Sequence, residues 1–145
     1  MYAHRYNLPA IDDESNADER FRRNYLRHRV MPLLKAGFPA ATATLARAAR
    51  HQAEAAELLD VQADADLARA KTDAGLHAET LKQLGDARCK NALRRWLERA
   101  GLRQPSEARL NALIKALRDS SNDTRLAWVH ELRTVRREKD LLRLA

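Results

Sequence analysis

Thr124 to Ala145 reads TRLAWVHELRTVRREKDLLRLA, and the way this stretch folds decides the class of the whole chain. As a helix it completes an all-α protein; as strands it adds a sheet. Leu126, Trp128 and His130 alternate with Ala127 and Val129, the period of two that half-buried strands show. Val135 and Leu141 flank Glu138-Lys139-Asp140, a charged, turn-like tripeptide. A fifth helix is the competing reading, but the alternation favours two strands joined by a turn. The expected class is α+β and mostly helical: antiparallel helices with a small β element that includes a C-terminal hairpin.

Upstream, the apolar period is helical. A helix over about Asp86–Ala100 places Cys89, Leu93, Trp96, Leu97 and Ala100 on one face and ends at Gly101. The next opens at Pro105-Ser106, residues suited to a first turn and a cap, and buries Leu110, Leu113, Ile114 and Leu117. Asp119 to Asp123, DSSND, reads as a loop. Gly75 to Leu81, GLHAETL, alternates and reads as a short strand after a break at Thr72–Gly75. A long helix is expected from about Ala40 to Lys71. Within it Leu45, Ala49, Gln52, Ala56, Leu59 and Ala63 form a narrow stripe of small residues, suited to close helix–helix approach. The first helix runs from about Asp18 to Lys35. Pro32 inside it removes a backbone donor, so a kink or restart is expected near Met31.

The chain has 145 residues, enough for one compact domain without disulfides. Ala and Leu dominate its apolar fraction and aromatics are few, a helix-favouring composition. The single cysteine, Cys89, excludes an internal disulfide and fits a reducing cytoplasm. No apolar run has the length of a membrane span. The opening MYAHRYNLPAIDDESN lacks the apolar core of a secretory signal and reads as a segment of a longer protein. The four glycines are dispersed, so there is no phosphate loop or dinucleotide fingerprint. The five histidines have no metal-ligand spacing, no serine sits in a nucleophile elbow, and Cys89 falls on an apolar face. Taken alone, the chain is expected to hold no metal or cofactor and not to be a complete enzyme.

The net charge is +7, and it is unevenly spread. Ala53 to Leu67 carries Glu54, Glu57, Asp60, Asp64 and Asp66 with no base. Arg88 to Arg103 carries Arg88, Lys90, Arg94, Arg95, Arg99 and Arg103 against Glu98 alone. Arg133, Arg136, Arg137, Lys139 and Arg143 follow near the end. Such a distribution is the electrostatic footprint of a polyanion partner. The most informative basic stretch is Asp12 to Leu34, DDESNADERFRRNYLRHRVMPLL. Capping residues Asp13, Ser15, Asn16 and Asp18 precede a helix carrying Arg20, Arg22, Arg23, Asn24, Arg27, His28 and Arg29. Guanidinium forks match phosphate oxygens bidentately. A solvated helix face arranged to suit the helix dipole is the other reading.

The register of this stretch resembles the tRNA(Ile)-lysidine synthetases, just downstream of their ATP-pyrophosphatase domain. Their pattern is roughly D-x-S-N-x-D-x-x-[FY]-x-R-N-x-[LI]-R. Asp13, Ser15, Asn16, Asp18, Phe21, Arg23, Asn24, Leu26 and Arg27 fill it here. Val30, Pro32, Leu33 and Leu34 match a following V-x-P-L-L, and Phe38-Pro39 its aromatic-Pro. The Ala-rich helix, Asp86-Ala87-Arg88 leading to Arg94-Arg95-Trp96-Leu97, and Pro105-Ser106 are similar to the family's second, tRNA-binding domain. The tail is similar to the strands that close that domain.

The resemblance implies a ligase that uses ATP and Mg to attach lysine to the wobble cytidine of the isoleucine tRNA with a CAU anticodon. The family's SGGxDS ATP loop is missing here. Residues 1–17 would then be the linker from an absent catalytic domain, and 18–145 the tRNA-binding domain, working in the cytoplasm, without a membrane and with a homodimer as one possible assembly. By the same resemblance Arg23 and Arg27 are candidates for the catalytic cleft. Arg23, Asn24, Arg27, Arg88, Lys90, Arg94, Arg95, Arg99, Arg133, Arg136 and Arg137 are the tRNA-contact candidates. Asp13, Ser15, Asn16 and Asp18 are expected to knit the linker to the helix. A helical protein-interaction module and a general nucleic-acid binder without catalysis are the competing functions.

Overall fold

The computed structural model describes residues 18–121 and 126–145. The proposed linker, with Asp13, Ser15 and Asn16, and part of the DSSND loop lie outside the described residues. Two compact units divide at Gln52 and Ala53, inside the long second helix.

In the first unit, helix α1 has three parts: α-helical Arg22–Tyr25, π-helical Leu26–Val30 and α-helical Met31–Gly37. The wider turn falls immediately before Pro32. Proline cannot donate to the carbonyl one turn back and its ring crowds it, so the ladder changes spacing and restarts at Met31. Regular helix begins at Arg22, later than expected. Asp18 organises the turn ahead of it instead, accepting from the Arg20 backbone N–H at 3.0 Å and from its guanidinium at 2.8 Å.

Helix α2 spans Ala41–Ala70. The expected stripe along it is not a buried seam. Leu45 and Leu59 are each 53% exposed, and of the six stripe residues only Ala63 is buried. Alanines offer little area to bury. What α2 contributes to the core is its last turns, through Ala63, Asp66, Leu67 and Ala70.

The second unit continues with strands β1, Lys71–Thr72, and β2, Gly75–His77, then helix α3, Ala78–Lys82. The strand expected to reach Leu81 stops early because the His77 ring nitrogen accepts the Thr80 N–H at 3.3 Å and caps a helix. Helix α4 is Asp86–Arg99 and α5 is Glu107–Asp119. After α4 the Leu102 N–H reaches back to the Leu97 carbonyl at 3.1 Å, around Gly101 at φ 77°; this closing turn favours glycine. The Ser106 hydroxyl accepts from the Arg109 N–H at 3.4 Å and caps α5.

The tail is extended, as the alternation predicts, but it forms three strands rather than two: β3, Ala127–His130, β4, Arg133–Glu138, and β5, Leu141–Leu144. They join the earlier hairpin in one antiparallel sheet of order β1-β2-β5-β4-β3. The class is α+β and mostly helical. One face of the sheet sends Leu76, Val135 and Leu142 into a core with Leu81, Cys89, Leu93, Leu97, Leu113 and Leu117. Each large aliphatic side chain buried there contributes about 1.5–3 kcal/mol. Gly75, at φ 153°, lets β2 approach β5 closely: a Cβ there would meet the Leu142 carbonyl oxygen at 2.3 Å.

Candidate nucleic-acid interface

The arginines fall into two populations, and helix α4 carries the first. Its face towards α2 repeats a cation every few residues, and the facing turns of α2 supply carboxylates. Arg88 donates to both oxygens of Asp66, with Nε at 3.0 Å. Arg94 Nη2 lies 2.5 Å from Asp60. Arg95 bonds Asp64 at 3.0 Å, Asp60 at 3.1 Å and Glu98 at 3.0 Å. Arg99 holds Asp64 at 2.8 Å. Asp60, Asp64 and Asp66 of α2 are thus matched by Arg88, Arg94, Arg95 and Arg99 of α4. Asp66 is 1% exposed, and its charge is sustained chiefly by Arg88. The Arg88 hydrogen bonds hold the Asp66 carboxyl below its ordinary value, and the Arg95 hydrogen bond does the same for Asp64.

Arg137 and Lys90 are also committed. The Arg137 side chain is 1% exposed. It donates to the Ser120 carbonyl at 2.7 Å and hydroxyl at 2.8 Å, to the Lys139 carbonyl at 2.8 Å and to Glu79 at 3.0 Å. Val135 and Arg137 share the inward face of β4, so this guanidinium ties the sheet to the ends of α3 and α5. Lys90 pairs with Glu107 at 3.1 Å, linking α4 to α5.

The second population is exposed. Arg23 and Arg27 on α1, and Arg133 and Arg136 on β4, make no ion pair among the described residues. Asn24, between the first two, is buried, and its amide donates to the Asp18 carbonyl at 2.9 Å. It and Asp18 shape the turn into the helix while the arginines project outward. Trp128 stacks on His130 with centroids 5.3 Å apart, and Arg109 lies 5.4 Å from the Trp128 ring. Among the described residues no group of His, Cys, Asp or Glu can hold a metal ion, and no helix is long and apolar enough to cross a membrane. Cys89 is buried, and burial pushes its thiol up to about 11.

Residues 76–143 match the family model described as the TilS substrate binding domain. The tRNA(Ile)-lysidine synthase of Coxiella burnetii is 35% identical over 144 residues, 99% of this chain and 32% of that protein. The synthase of Azoarcus sp. is 45% identical over 129 residues, 86% of this chain and 28% of the relative. That of Pseudomonas fluorescens is 39% identical over 135 residues, 88% and 30% respectively. The chain belongs to the tRNA(Ile)-lysidine synthase family. It spans about a third of the length of the curated synthases it matches.

The stretch matched by the synthase substrate-binding model contains the α4 arginines, Arg133, Arg136 and Arg137, but not Arg23, Asn24 and Arg27. It also contains Arg143, a member of the C-terminal basic group that is not among the tRNA-contact candidates. Register places Arg143 directly across from Arg136. The signal was present: counting outward from the Lys139-Asp140 turn pairs residue 138 with 141, 137 with 142 and 136 with 143.

Proposed function

We propose that this chain is the tRNA-recognition part of a tRNA(Ile)-lysidine synthase. The whole enzyme would attach lysine to the wobble cytidine of the CAU-anticodon isoleucine tRNA in the cytoplasm. ATP would adenylate the cytosine carbonyl oxygen. The amine of free lysine would then attack that carbon and release AMP. No glycine-rich phosphate loop occurs in this sequence, so its residues do not fit an ATP site. ATP, Mg and lysine would bind elsewhere in the full-length protein, and this portion alone would be inactive. Residues 1–17 would serve as the linker and 18–145 as the RNA-binding part.

The observation that carries the reading is the division of the arginines within a family member. Among the described residues Arg133 and Arg136 keep their guanidinium groups exposed and uncommitted to carboxylates, as do Arg23 and Arg27, which would hold anticodon-loop phosphates or charge developing during adenylation. Arg88, Lys90, Arg94, Arg95, Arg99 and Arg137 would act mainly by holding the helices and sheet that present them. A protein-interaction role has one supporting observation, the exposure of Leu58 at 72% and Val61 at 68% on α2.

The test is binding of the purified chain to CAU-anticodon isoleucine tRNA and to elongator methionine tRNA across a salt series. Tighter, salt-sensitive binding of the isoleucine tRNA is expected. Equal binding of both would make the chain a backbone clamp, with discrimination elsewhere. Absence of binding at low salt would favour the protein-interaction role.

A further inference from the structure

We infer that the open face of the sheet carries a two-arginine clamp for a phosphate of the RNA backbone, formed by Arg136 and Arg143; the inference rests on the tRNA-binding reading. Val135 and Arg137 on β4, and Leu142 on β5, are buried on the inner face. The residues between them therefore project from the opposite face, where Val129, Arg136, Glu138 and Arg143 are all exposed. Arg136 and Arg143 are direct cross-strand partners on that face.

Side chains so paired stand about 5 Å apart at Cβ, and like charges there destabilise a sheet. A strand pair built for stability alone would set an acid or a β-branched residue against Arg136. Arg143 has an ion pair with Glu138 at 2.8 Å, whereas Arg136 has none among the described residues. One carboxylate facing two guanidinium groups leaves the patch positive. The neighbouring positions keep it open: Ala127 lies across from Arg136 on the β3 side. On the other side, a Cβ at Gly75 would lie 3.3 Å from Arg143 Cγ, so the bare glycine leaves room for the Arg143 stem against β2. A phosphodiester between the two forks would relieve the repulsion and accept from both. A flat, open sheet face suits a polymer backbone better than a small enclosed ligand.

The clamp predicts a trade between stability and binding. Arg136→Thr should raise Tm by about 1–4 °C, since it removes the repulsion and places a β-branched residue in the strand. Arg136→Thr with Arg143→Thr should weaken binding roughly tenfold, both to isoleucine tRNA and to a plain RNA duplex. The slope of log affinity against log salt should fall by about one, because the two arginines share one phosphate. Arg136→Lys should keep most of the affinity, and Lys115→Gln, which removes a cation already paired with Asp119, should leave the slope unchanged.

An unchanged slope in the double variant, or a lower Tm with Arg136→Thr, overturns the clamp while leaving the tRNA reading in place. The expected losses on a wild type that binds the duplex as tightly as the tRNA support the clamp and overturn the recognition reading. Failure of the wild type to bind either RNA at low salt overturns both.

Discussion

Helix α4 and strand β4 are both rich in arginine, yet their side chains have different work. On α4, Arg94 and Arg95 reach the aspartates of α2, and their hydrogen-bonding capacity is largely used within the protein. On β4, Arg137 turns inward and is consumed by Ser120, Lys139 and Glu79, while Arg136, one residue earlier, turns outward with no acidic partner among the described residues. Charge density along the sequence therefore does not locate a polyanion surface. Under the proposed RNA-binding role, the candidate surface is the one where cations outnumber the carboxylates that face them, as Arg136 and Arg143 outnumber Glu138.

The largest effect that sharpens this contrast is expected at Arg137. Arg137→Ala removes the guanidinium bonds to Ser120, to the Lys139 carbonyl and to Glu79. The Ser120 carbonyl keeps Lys82 and its hydroxyl keeps the Leu117 carbonyl, so the loss should be about 3 kcal/mol in urea unfolding, a sum of charged hydrogen bonds lost in the interior. Less than 1 kcal/mol would mean that water replaces the guanidinium. Asp66→Asn comes next. It leaves Arg88 half exposed and free to solvate, so about 2 kcal/mol is expected. Arg94→Ala with Arg95→Ala should lower Tm yet leave the salt slope of tRNA binding intact; a flatter slope would move α4 into the interface and dissolve the contrast. Arg23→Ala with Arg27→Ala is the mirror case. Tm should change little, since exposed positions with no ion pair among the described residues stay within about 0.5 kcal/mol, while the salt slope drops by about two.

The ion-paired carboxylates also set a pH dependence. Asp64 and Asp66 are held below their ordinary values by Arg95 and Arg88. Their contribution is therefore complete above about pH 4, the unfolded carboxylate range, and is lost as pH falls through the lowered folded values. Unfolding midpoints should drop as the pH falls below about 4. Asp66→Asn should flatten that drop, the smallest of the effects.

Much of the fold was legible in local pattern. The restart near Pro32, the Ser106 cap and the buried faces of α4 and α5 follow from residue chemistry within a few positions. The third strand of the tail was hidden because the β3–β4 turn uses Glu131 at φ 52°, with no Gly or Asn to mark it. The α2 stripe misled because spacing says which residues share a face but not whether anything covers it. The candidate interface was the hardest part to read. Asp60 and Arg94 are 34 positions apart, and no local rule connects them. The clue was the complementarity of an all-acid block and a nearly all-base block in one chain. Arg137 escaped for a related reason: only a settled register tells which of two adjacent arginines faces the core.

Cys89 has a practical consequence. It is the sole cysteine of the chain, sits in the core and has a thiol burial has pushed up to about 11. At neutral pH almost none of it is thiolate, the form that reacts with maleimides and iodoacetamides. The native protein is thus a ready background for site-directed labelling. A cysteine placed at fully exposed Leu132, for example, would take a fluorophore or spin probe beside the sheet without first removing the natural one.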